Sequence, residues 1–226
     1  MCDERVWRDM PRALLAQAVH ADLSLDDNIP AMARRTLAAT DGMLIPIGLS
    51  MGGIVALEMA RQASARISGM VLSDTNAGAD LAERAAARPA QQERVRAGEL
   101  ETLVADELKP AYLAECNRNN QPLRALILQM AVDFGEEVFV RQSEALRTRA
   151  DLRGVLDEFV GPVLLTCGAE DRLCPPEWHV AMAARCVSGQ VEVFDDAGHL
   201  LPLEQPEKFA TTVLSWLDRH WGTKLG

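Results

Sequence analysis

The sequence has 226 residues, of which 48% are apolar, and its formal net charge is −10 with a pI of about 4.9. This length suits one α/β domain with or without an insertion, and the apolar content is sufficient for a sizeable core. The acidic charge argues against nucleic acids and anionic membranes as partners. The charged N-terminus has no apolar core region, so we expect no signal peptide. No stretch approaches ~20 consecutive apolar residues, so we also expect no membrane span.

The cysteines are odd in number and scattered, and no pair has zinc-finger spacing. This usage predicts reduced thiols in a cytoplasmic protein. The sequence also contains no metal-ligand cluster, P-loop or dinucleotide fingerprint, so it predicts neither a metal nor a cofactor. The five cysteines are Cys2, Cys116, Cys167, Cys174 and Cys186.

The first third of the chain alternates between helical and extended patterns. Alternation of this kind is typical of a parallel sheet flanked by helices, which places the chain in the α/β class. The patterns predict helices over 4–17, 29–39 and 51–63, and strands over 18–23, 43–47 and 67–73.

The alternation stops at about residue 79 and resumes at about residue 153. The intervening segment predicts about four helices and no strand, which indicates a helical cap inserted into the α/β core. Pro89, Pro110 and Pro122 are expected to separate these helices. We therefore divide the chain into a first core part (1–78), a cap (79–152) and a second core part (153–226). The second core part is predicted to contain a strand over 160–167, a helix over 176–186, a strand over 191–194 and a helix over 205–220.

The chain is organised around residues 43–60, where an apolar run leads into Gly48-Leu49-Ser50-Met51-Gly52 and then into a helical pattern. Such a strand–turn–helix lifts the Ser50 hydroxyl above the sheet edge and aims the first helical N–H groups at whatever the serine attacks. We expect Gly48 and Gly52 to supply the small residues that this turn needs, and Gly53 to allow close approach of the helix to the strand. The alternative interpretation is a glycine-rich turn with a serine helix cap.

A serine nucleophile needs a base within hydrogen-bond reach, and four histidines are available. His199 follows the last predicted strand, so it lies at the same sheet edge as Ser50 and is the favoured base. His20 is the second candidate. His179 is predicted to be a solvated or rim residue within a helix, and His220 to lie on a surface helix near the C-terminus.

The base needs an orienting acid from another strand end at that edge. Asp171 directly follows the strand over 160–167 and is the favoured acid, although it could instead be a turn or helix-cap aspartate before Pro175. Asp74, at the end of the preceding strand, is the alternative. The resulting chain order of Ser50, Asp171 and His199 is one of three orders known for this geometry.

Three ordered motifs resemble the α/β-hydrolase superfamily, in its branch of small esterases, lactonases and aryl-ester hydrolases. The resemblance implies an α/β fold with a mostly parallel sheet and an inserted helical cap. It also implies Ser50 as nucleophile, His199 as base, Asp171 as acid and the Met51 N–H as one oxyanion donor. The motifs are Gly48-Leu49-Ser50-Met51-Gly52-Gly53, Gly168-Ala169-Glu170-Asp171-Arg172-Leu173-Cys174-Pro175-Pro176, and Gly198-His199-Leu200.

The front of the chain departs from the family pattern. The segment from Cys2 to Trp7 resembles the family's residues just after its second oxyanion loop, so that loop and the strand before it are expected to be absent. The Ser50 strand would then have an open, apolar edge. Three explanations are open: the natural start lies upstream, which we favour; the early strand over 18–23 closes against the Ser50 strand; or a partner chain fills the gap. Loss of one oxyanion donor lowers kcat by about 10²–10³-fold in comparable enzymes.

The sequence thus predicts a serine hydrolase that cleaves a small carboxylic ester or a lactone through an acyl-enzyme on Ser50. The same three residues would also suit C–C bond hydrolysis, thioester cleavage or a cofactor-free lyase reaction. A non-catalytic binding or signalling protein and an incomplete, aggregating chain are the alternatives of other classes. We expect a monomer or homodimer. The cap arginines Arg84, Arg88, Arg94 and Arg96 could meet an acidic substrate, although a solvated face is the more common role of such residues.

Overall fold

A computed structural model describes residues 1–108 and 112–222. Its sheet has four parallel strands in the order β1-β2-β3-β4, with Ile47 of β1 opposite Val71 of β2 and Leu164 of β3 opposite Gln190 of β4. The carboxyl ends of all four strands therefore meet at one edge. The strands are β1 (Ile47–Leu49), β2 (Met70–Ser73), β3 (Pro162–Gly168) and β4 (Ser188–Phe194).

Helices connect the strands and cover both faces of the sheet. The α-helices are α1 (Arg12–Leu15), α2 (Ile29–Ala38), α3 (Met51–Ala63), α4 (Ala82–Arg94), α5 (Leu100–Thr102), α6 (Gln121–Arg147), α7 (Arg153–Glu158), α8 (Pro176–Ala183), α9 (Leu201–Glu204) and α10 (Pro206–Trp221). Short 3-10 helices are found at Glu4–Trp7, Ser64–Arg66 and Glu115–Asn117, and π-helices at Val95–Glu99 and Leu103–Leu108. Among the described residues, no helix is both long and apolar enough to cross a membrane.

The core has one layer on each face of the sheet. Met70 and Leu165 point from β2 and β3 towards α3, where they pack with Leu57. Val71 and Leu164, one residue along each strand, point the opposite way and pack against Trp216 of α10. Because β2 and β3 are covered on both faces, they are continuous apolar runs rather than alternating ones, as buried parallel strands are.

Most of the predicted elements are confirmed. The helix predicted over 51–63 is found at those residues, and those over 29–39, 176–186 and 205–220 are each found within a few residues of the predicted ends. The predicted strands over 160–167 and 191–194 correspond to β3 and β4. The α/β class and the parallel sheet follow directly from this alternation.

The start of the chain was predicted wrongly. The helix expected over 4–17 is two short helical segments, because Pro11 between them adopts an extended ψ of 150° and has no N–H to continue the first. The segment 18–23 forms no strand in the described structure, and most of its residues are exposed. It does not close against β1, so the second explanation for the open strand edge is wrong.

The Ser50 strand begins later than predicted. Regular pairing starts at Ile47 instead of Met43, and Leu44 makes only an isolated bridge with Ile67. Pro46 accounts for this difference, because it accepts from the Val71 N–H at 2.9 Å but has no N–H to donate to the ladder.

The segment between β2 and β3 contains helices joined by turns and irregular stretches, and it has no strand among its described residues, as predicted. Pro89 does not separate two helices, however, but lies inside α4. Pro122 lies in the first turn of α6, where a missing N–H costs nothing, and Pro110 lies outside the described residues. The breaks are made instead by Gly98 (φ 87°) and Gly135 (φ 75°), which adopt backbone conformations that few other residues tolerate.

One edge of β1 faces a cavity. Among the described residues β1 pairs only with β2. On its other side a cavity of about 1120 Å³ runs from the N-terminal segment, past Ser50, to the helices between β2 and β3. Its walls along β1 are largely apolar and include Met10, Leu14, Ile45, Ile47 and Phe209.

Candidate active site

Ser50 lies in a strained turn between β1 and α3. Its backbone has a φ of 52° and a ψ of −113°, an unfavourable conformation for a residue with a Cβ, of the kind that costs about 1–3 kcal/mol. The turn is fixed on both sides: the Ser50 N–H donates to the Ser73 carbonyl at 2.9 Å, and the Thr75 hydroxyl donates to the Ser50 carbonyl at 2.6 Å. These bonds hold the serine at the carboxyl edge of the sheet.

The glycines around Ser50 have different roles from those predicted. A Cβ on Gly48 would lie 2.4 Å from the Gly52 carbonyl group, so residue 48 must be glycine for the turn to close. Gly52 itself has an ordinary φ, and a Cβ on it would have no neighbouring atom within 4 Å, so the expectation that it supplies needed space is wrong. A Cβ on Gly53 would lie 2.7 Å from the Thr75 side chain, which confirms that α3 approaches the sheet closely at this residue.

The structure brings the three sequence-predicted residues together at hydrogen-bond distance. His199 Nε2 lies 2.9 Å from Ser50 Oγ, and His199 Nδ1 lies 2.9 Å from Asp171 Oδ2. The other oxygen of Asp171 accepts the N–H groups of Leu173 and Cys174 at 2.8 and 2.9 Å. Asp171 and His199 are only 3% and 5% exposed, so the contact between them is shielded from water.

The pKa values of Asp171 and His199 shift in opposite directions. Burial by itself lowers the pKa of His199, but the neighbouring Asp171 carboxylate outweighs this and raises it above its usual value. Burial would likewise raise the pKa of Asp171, but the histidine and the two backbone N–H donors lower it. The site therefore favours a charged Asp171 and is prepared to stabilise a proton on His199.

The loop that carries His199 is held by groups that the sequence analysis did not identify. The backbone N–H of His199 donates to the Tyr112 carbonyl at 2.7 Å, and the centres of the two side-chain rings lie 5.7 Å apart. Glu204 accepts the N–H groups of Gly198 and Ala114, both at 2.8 Å, and so joins this loop to the segment after residue 111. Tyr112 is the only tyrosine in the sequence, but nothing local to it or to Glu204 signals these long-range contacts.

Asp74, the alternative acid, has a different set of partners. Its Oδ1 accepts the Gly168 N–H at 3.0 Å, and its Oδ2 accepts the Ser73 hydroxyl at 2.9 Å. It makes no hydrogen bond to His199 in the described structure. Burial is the main cause that raises the pKa of Asp74 to about 7. Of the two candidate acids, only Asp171 is hydrogen-bonded to the histidine in the described structure.

The remaining histidines make no hydrogen bond to Ser50 among the described residues, although His20 lines the same cavity. His20 and His220 are exposed, as expected for His220. His179 is fully buried, so the prediction of a solvated or rim residue is wrong. Its Nε2 accepts the Thr75 N–H at 3.1 Å and its Nδ1 lies 3.3 Å from the Pro175 carbonyl, an arrangement that suits a neutral ring. Burial lowers the pKa of His179 to about 4, so the ring stays neutral near pH 7.

Backbone donors face the cavity beside Ser50. The N–H groups of Met51 and Gly52, the first two residues of α3, have no hydrogen-bond acceptor among the described residues. Both residues line the cavity. Free N–H groups at the start of a 13-residue helix attract negative charge, so this position suits an oxyanion.

One group of side chains near the site has the spacing of metal ligands. Asp171, Cys174 and His199 each place one ligand atom within 4.8 Å of the others. Burial raises the pKa of the Cys174 thiol to about 12, which disfavours the thiolate that binds metals. Asp171 and His199 are already hydrogen-bonded to each other, so these residues suit proton transfer better than metal binding.

The sequence pattern of the alpha/beta hydrolase family matches residues 4–212. The chain therefore belongs to the alpha/beta hydrolase family, as its motifs predicted. This assignment agrees with the parallel sheet and with the turn that carries Ser50.

Three similar proteins are hydrolases by name. The chain is 29% identical over 162 residues to 3-oxoadipate enol-lactonase 1 of Acinetobacter baylyi, a match that covers 72% of this chain and 59% of the relative. It is 26% identical to the pimeloyl-[acyl-carrier protein] methyl ester esterase of Cronobacter sakazakii, covering 85% of this chain and 74% of the esterase. The structure of a thermophilic esterase from Thermogutta terrifontis superposes with a TM-score of 0.86 at 29% identity, covering 97% of this chain and 87% of the esterase.

These relatives support the interpretation that this chain is a hydrolase. The chain spans about three fifths of the length of the enol-lactonase and about three quarters of that of the methyl ester esterase. The whole-length likeness to the thermophilic esterase shows that the sheet and its surrounding helices are arranged alike in the two proteins.

Proposed function

We propose that this chain is a serine hydrolase that cleaves a small carboxylic ester or a lactone through an acyl-enzyme on Ser50. The observation that carries the proposal is the continuous series of contacts from Ser50 Oγ through His199 to Asp171, with both hydrogen bonds at 2.9 Å. A serine hydroxyl is a weak nucleophile unless a base takes its proton, and a base needs a group that orients it. Ester and lactone hydrolases among the relatives support the same reaction class.

In the first half of the proposed reaction, Ser50 Oγ forms a bond to the ester carbonyl carbon and its proton passes to His199 Nε2. The Asp171 carboxylate stabilises the imidazolium that results and keeps Nε2 directed at the serine. The carbonyl oxygen becomes an oxyanion, and the Met51 N–H is the donor that we assign to it. One such donor is worth about 10²–10³-fold in kcat in comparable enzymes.

The tetrahedral intermediate then collapses. The bond from the carbonyl carbon to the alcohol oxygen breaks, and that oxygen takes the proton from His199. A water molecule next attacks the acyl carbon and gives a proton to His199. The bond from that carbon to Ser50 Oγ then breaks, His199 returns the proton to Ser50 Oγ, and the carboxylic acid leaves. With a lactone, acid and alcohol remain parts of one product molecule.

We propose that residues 79–152 form a cap whose inner face completes the substrate pocket. Several described residues of this segment line the same cavity as Ser50 and His199, including Asp80, Arg84, Arg88, Gln91, Tyr112 and Arg149. A pocket between a rigid sheet edge and a helical cover allows one nucleophile to serve many substrates. We propose a cytoplasmic monomer or homodimer that acts on a small molecule.

The test is hydrolysis of p-nitrophenyl acetate by the wild type, Ser50→Ala and Ser64→Ala. Ser64 is exposed at the end of α3 and lines no part of the cavity, so it is a matched control for a serine-to-alanine change. We expect Ser50→Ala to abolish turnover and Ser64→Ala to retain the wild-type rate. Full activity in Ser50→Ala would disprove the proposed nucleophile.

A further inference from the structure

One face of α4 presents polar side chains to the cavity. Arg84, Arg88 and Gln91 lie four and three residues apart, so they share one side of the helix. All three line the cavity that contains Ser50 and His199. From the sequence, a solvent-exposed helix face was the more common role expected of the cap arginines. Arg84 and Arg88 are instead both partly buried.

Arg88 and a second cation, Arg149, share one carboxylate. Asp80 accepts Arg88 Nε at 2.6 Å and Arg149 Nη1 at 2.9 Å. The Arg149 side chain is only 4% exposed and also donates to the Gly78 carbonyl at 3.0 Å, so it is held firmly at the base of the cap. This trio therefore keeps one unit of positive charge at the cavity wall.

Arg84 has no carboxylate partner in the described part of the chain. Its Nη1 donates to the Leu173 carbonyl at 3.1 Å, which leaves most of the guanidinium donors for another acceptor. Leu173 belongs to the loop that donates to Asp171, so Arg84 lies against the loop that carries the acid. Arg84 therefore adds a second positive charge at this end of the cavity, where the nearby Asp171 carboxylate is hydrogen-bonded to His199 and to backbone N–H groups rather than to an arginine.

These charges share one cavity with the reacting groups. The Tyr112 ring packs beside the His199 ring, and both Arg84 and Arg88 are near enough to Tyr112 to counteract the rise in its pKa that burial causes. Cys174 also lines the cavity, and Arg84 likewise counteracts the rise in the pKa of its thiol that burial causes. Arg84 and Ser50 line the same cavity, and a series of hydrogen bonds through Leu173, Asp171 and His199 connects them, so an anion bound by Arg84 would occupy the cavity that the serine faces.

The other two cap arginines show that this charge is local. Arg94 donates to Glu99 at 2.8 Å and Arg96 to Glu93 at 2.5 Å, and neither arginine lines the cavity. The chain as a whole has a net charge of −10. A cationic cavity end in an acidic protein favours an anionic ligand over a neutral one.

We infer that the substrate, given the proposed ester or lactone hydrolysis, carries a second, free carboxylate that Arg84 binds with support from Arg88. A guanidinium matches a carboxylate with two parallel N–H donors and keeps its charge at every working pH. A neutral ester would leave the guanidinium of Arg84 without a carboxylate partner in the cavity.

The kinetic test compares monomethyl adipate, which has a free carboxylate, with dimethyl adipate, which has none. In the wild type we expect a higher kcat/KM for the monomethyl ester. In Arg84→Gln the ratio of the two kcat/KM values should fall by about 10–100-fold, the range expected for a lost hydrogen bond to a charged group. Arg96→Gln, which removes an exposed arginine of the same segment, should keep the wild-type ratio.

A binding test separates this inference from the proposed reaction. In the Ser50→Ala protein, calorimetric titration with monomethyl adipate should show binding that Arg84→Gln weakens by about tenfold or more and Arg96→Gln does not. Such binding in a protein whose wild type hydrolyses neither an ester nor a lactone would support the carboxylate site and overturn the proposed reaction. Serine-dependent ester hydrolysis with equal preference for the two esters, or binding that is indifferent to Arg84→Gln, would overturn the inference alone.

Discussion

Asp74 and Asp171 follow neighbouring strands at the same sheet edge, but among the described residues only the Asp171 carboxylate is hydrogen-bonded to His199. Asp171 reaches the imidazole at 2.9 Å, whereas Asp74 binds the Gly168 N–H at 3.0 Å. The difference arises from the backbone: Asp74 comes directly after β2 and turns back into the sheet, while Asp171 lies in a loop three residues beyond β3. Two similar carboxyl groups therefore have different chemistry.

The first prediction concerns these two acids. Asp171→Asn should lower kcat for an ester by about 10⁴-fold, the effect of the same change in a known Ser-His-Asp triad, because an amide stabilises the wrong histidine tautomer. Asp74→Asn keeps an oxygen for the Gly168 N–H and should lower kcat far less. Steady-state kinetics gives kcat for both variants and so shows which aspartate acts on His199. Circular dichroism checks that both variants fold. A loss in Asp74→Asn as large as that in Asp171→Asn would show that the acid has been misassigned.

The second prediction concerns the pH dependence of activity. His199 must be neutral to accept the serine proton, and Asp171 raises its pKa above the usual value of 6.5. The kcat/KM of the wild type should therefore fall on acidification with a midpoint above 6.5. A pH–rate profile for a neutral ester between pH 5 and 9 measures this midpoint. A midpoint below 6.5 would contradict the influence assigned to Asp171.

The third prediction concerns stability in acid. Burial lowers the pKa of His179 to about 4, so between pH 6.5 and 4 the unfolded chain binds a proton that the folded chain does not. Stability should consequently fall as the pH falls through this window, by up to about 3 kcal/mol from this group. His179→Gln retains an acceptor for the Thr75 N–H and cannot titrate. Urea unfolding at several pH values should show a shallower decline for His179→Gln than for the wild type, and equal slopes would refute the assignment.

The fourth prediction compares two glycines of the serine turn. Gly48→Ala places a Cβ 2.4 Å from the Gly52 carbonyl group, so the turn must open, and we expect a loss of about 1–3 kcal/mol or more together with loss of activity. Gly52→Ala meets open space inside a helix and should be neutral or stabilising by about 0.5–1 kcal/mol. Thermal unfolding of both variants tests the difference. Similar destabilisation by the two substitutions would mean that the turn is not packed as described.

The sequence was most informative where structure is set by adjacent residues. The turn at Ser50 could be predicted because its glycine, its apolar strand and its helix lie within one short segment. His199 and Asp171 could be placed at the same edge because strands of a parallel sheet all end there. These inferences need only chain order and the direction of the strands.

The sequence was least informative where distant groups decide the structure. Nothing near His179 shows that its ring will be buried against Thr75, 104 residues away in the chain. The same holds for Glu204, which fixes the His199 loop through Ala114, a residue 90 positions earlier. At the front, the apolar pattern of 4–17 suggested one helix, but the conformation of Pro11 divides it.

The measurement that tests the central claim most directly is reaction with a fluorophosphonate, followed by intact mass analysis and mapping of the adduct. A fluorophosphonate reacts with a serine only when a neighbouring base activates it, so it needs no knowledge of the substrate. We predict one adduct, on Ser50, that is lost in His199→Ala and retained in Ser64→Ala. A folded wild-type protein that forms no adduct, or that forms one equally well in His199→Ala, would contradict the proposal that Ser50 and His199 act together as a nucleophile and its base.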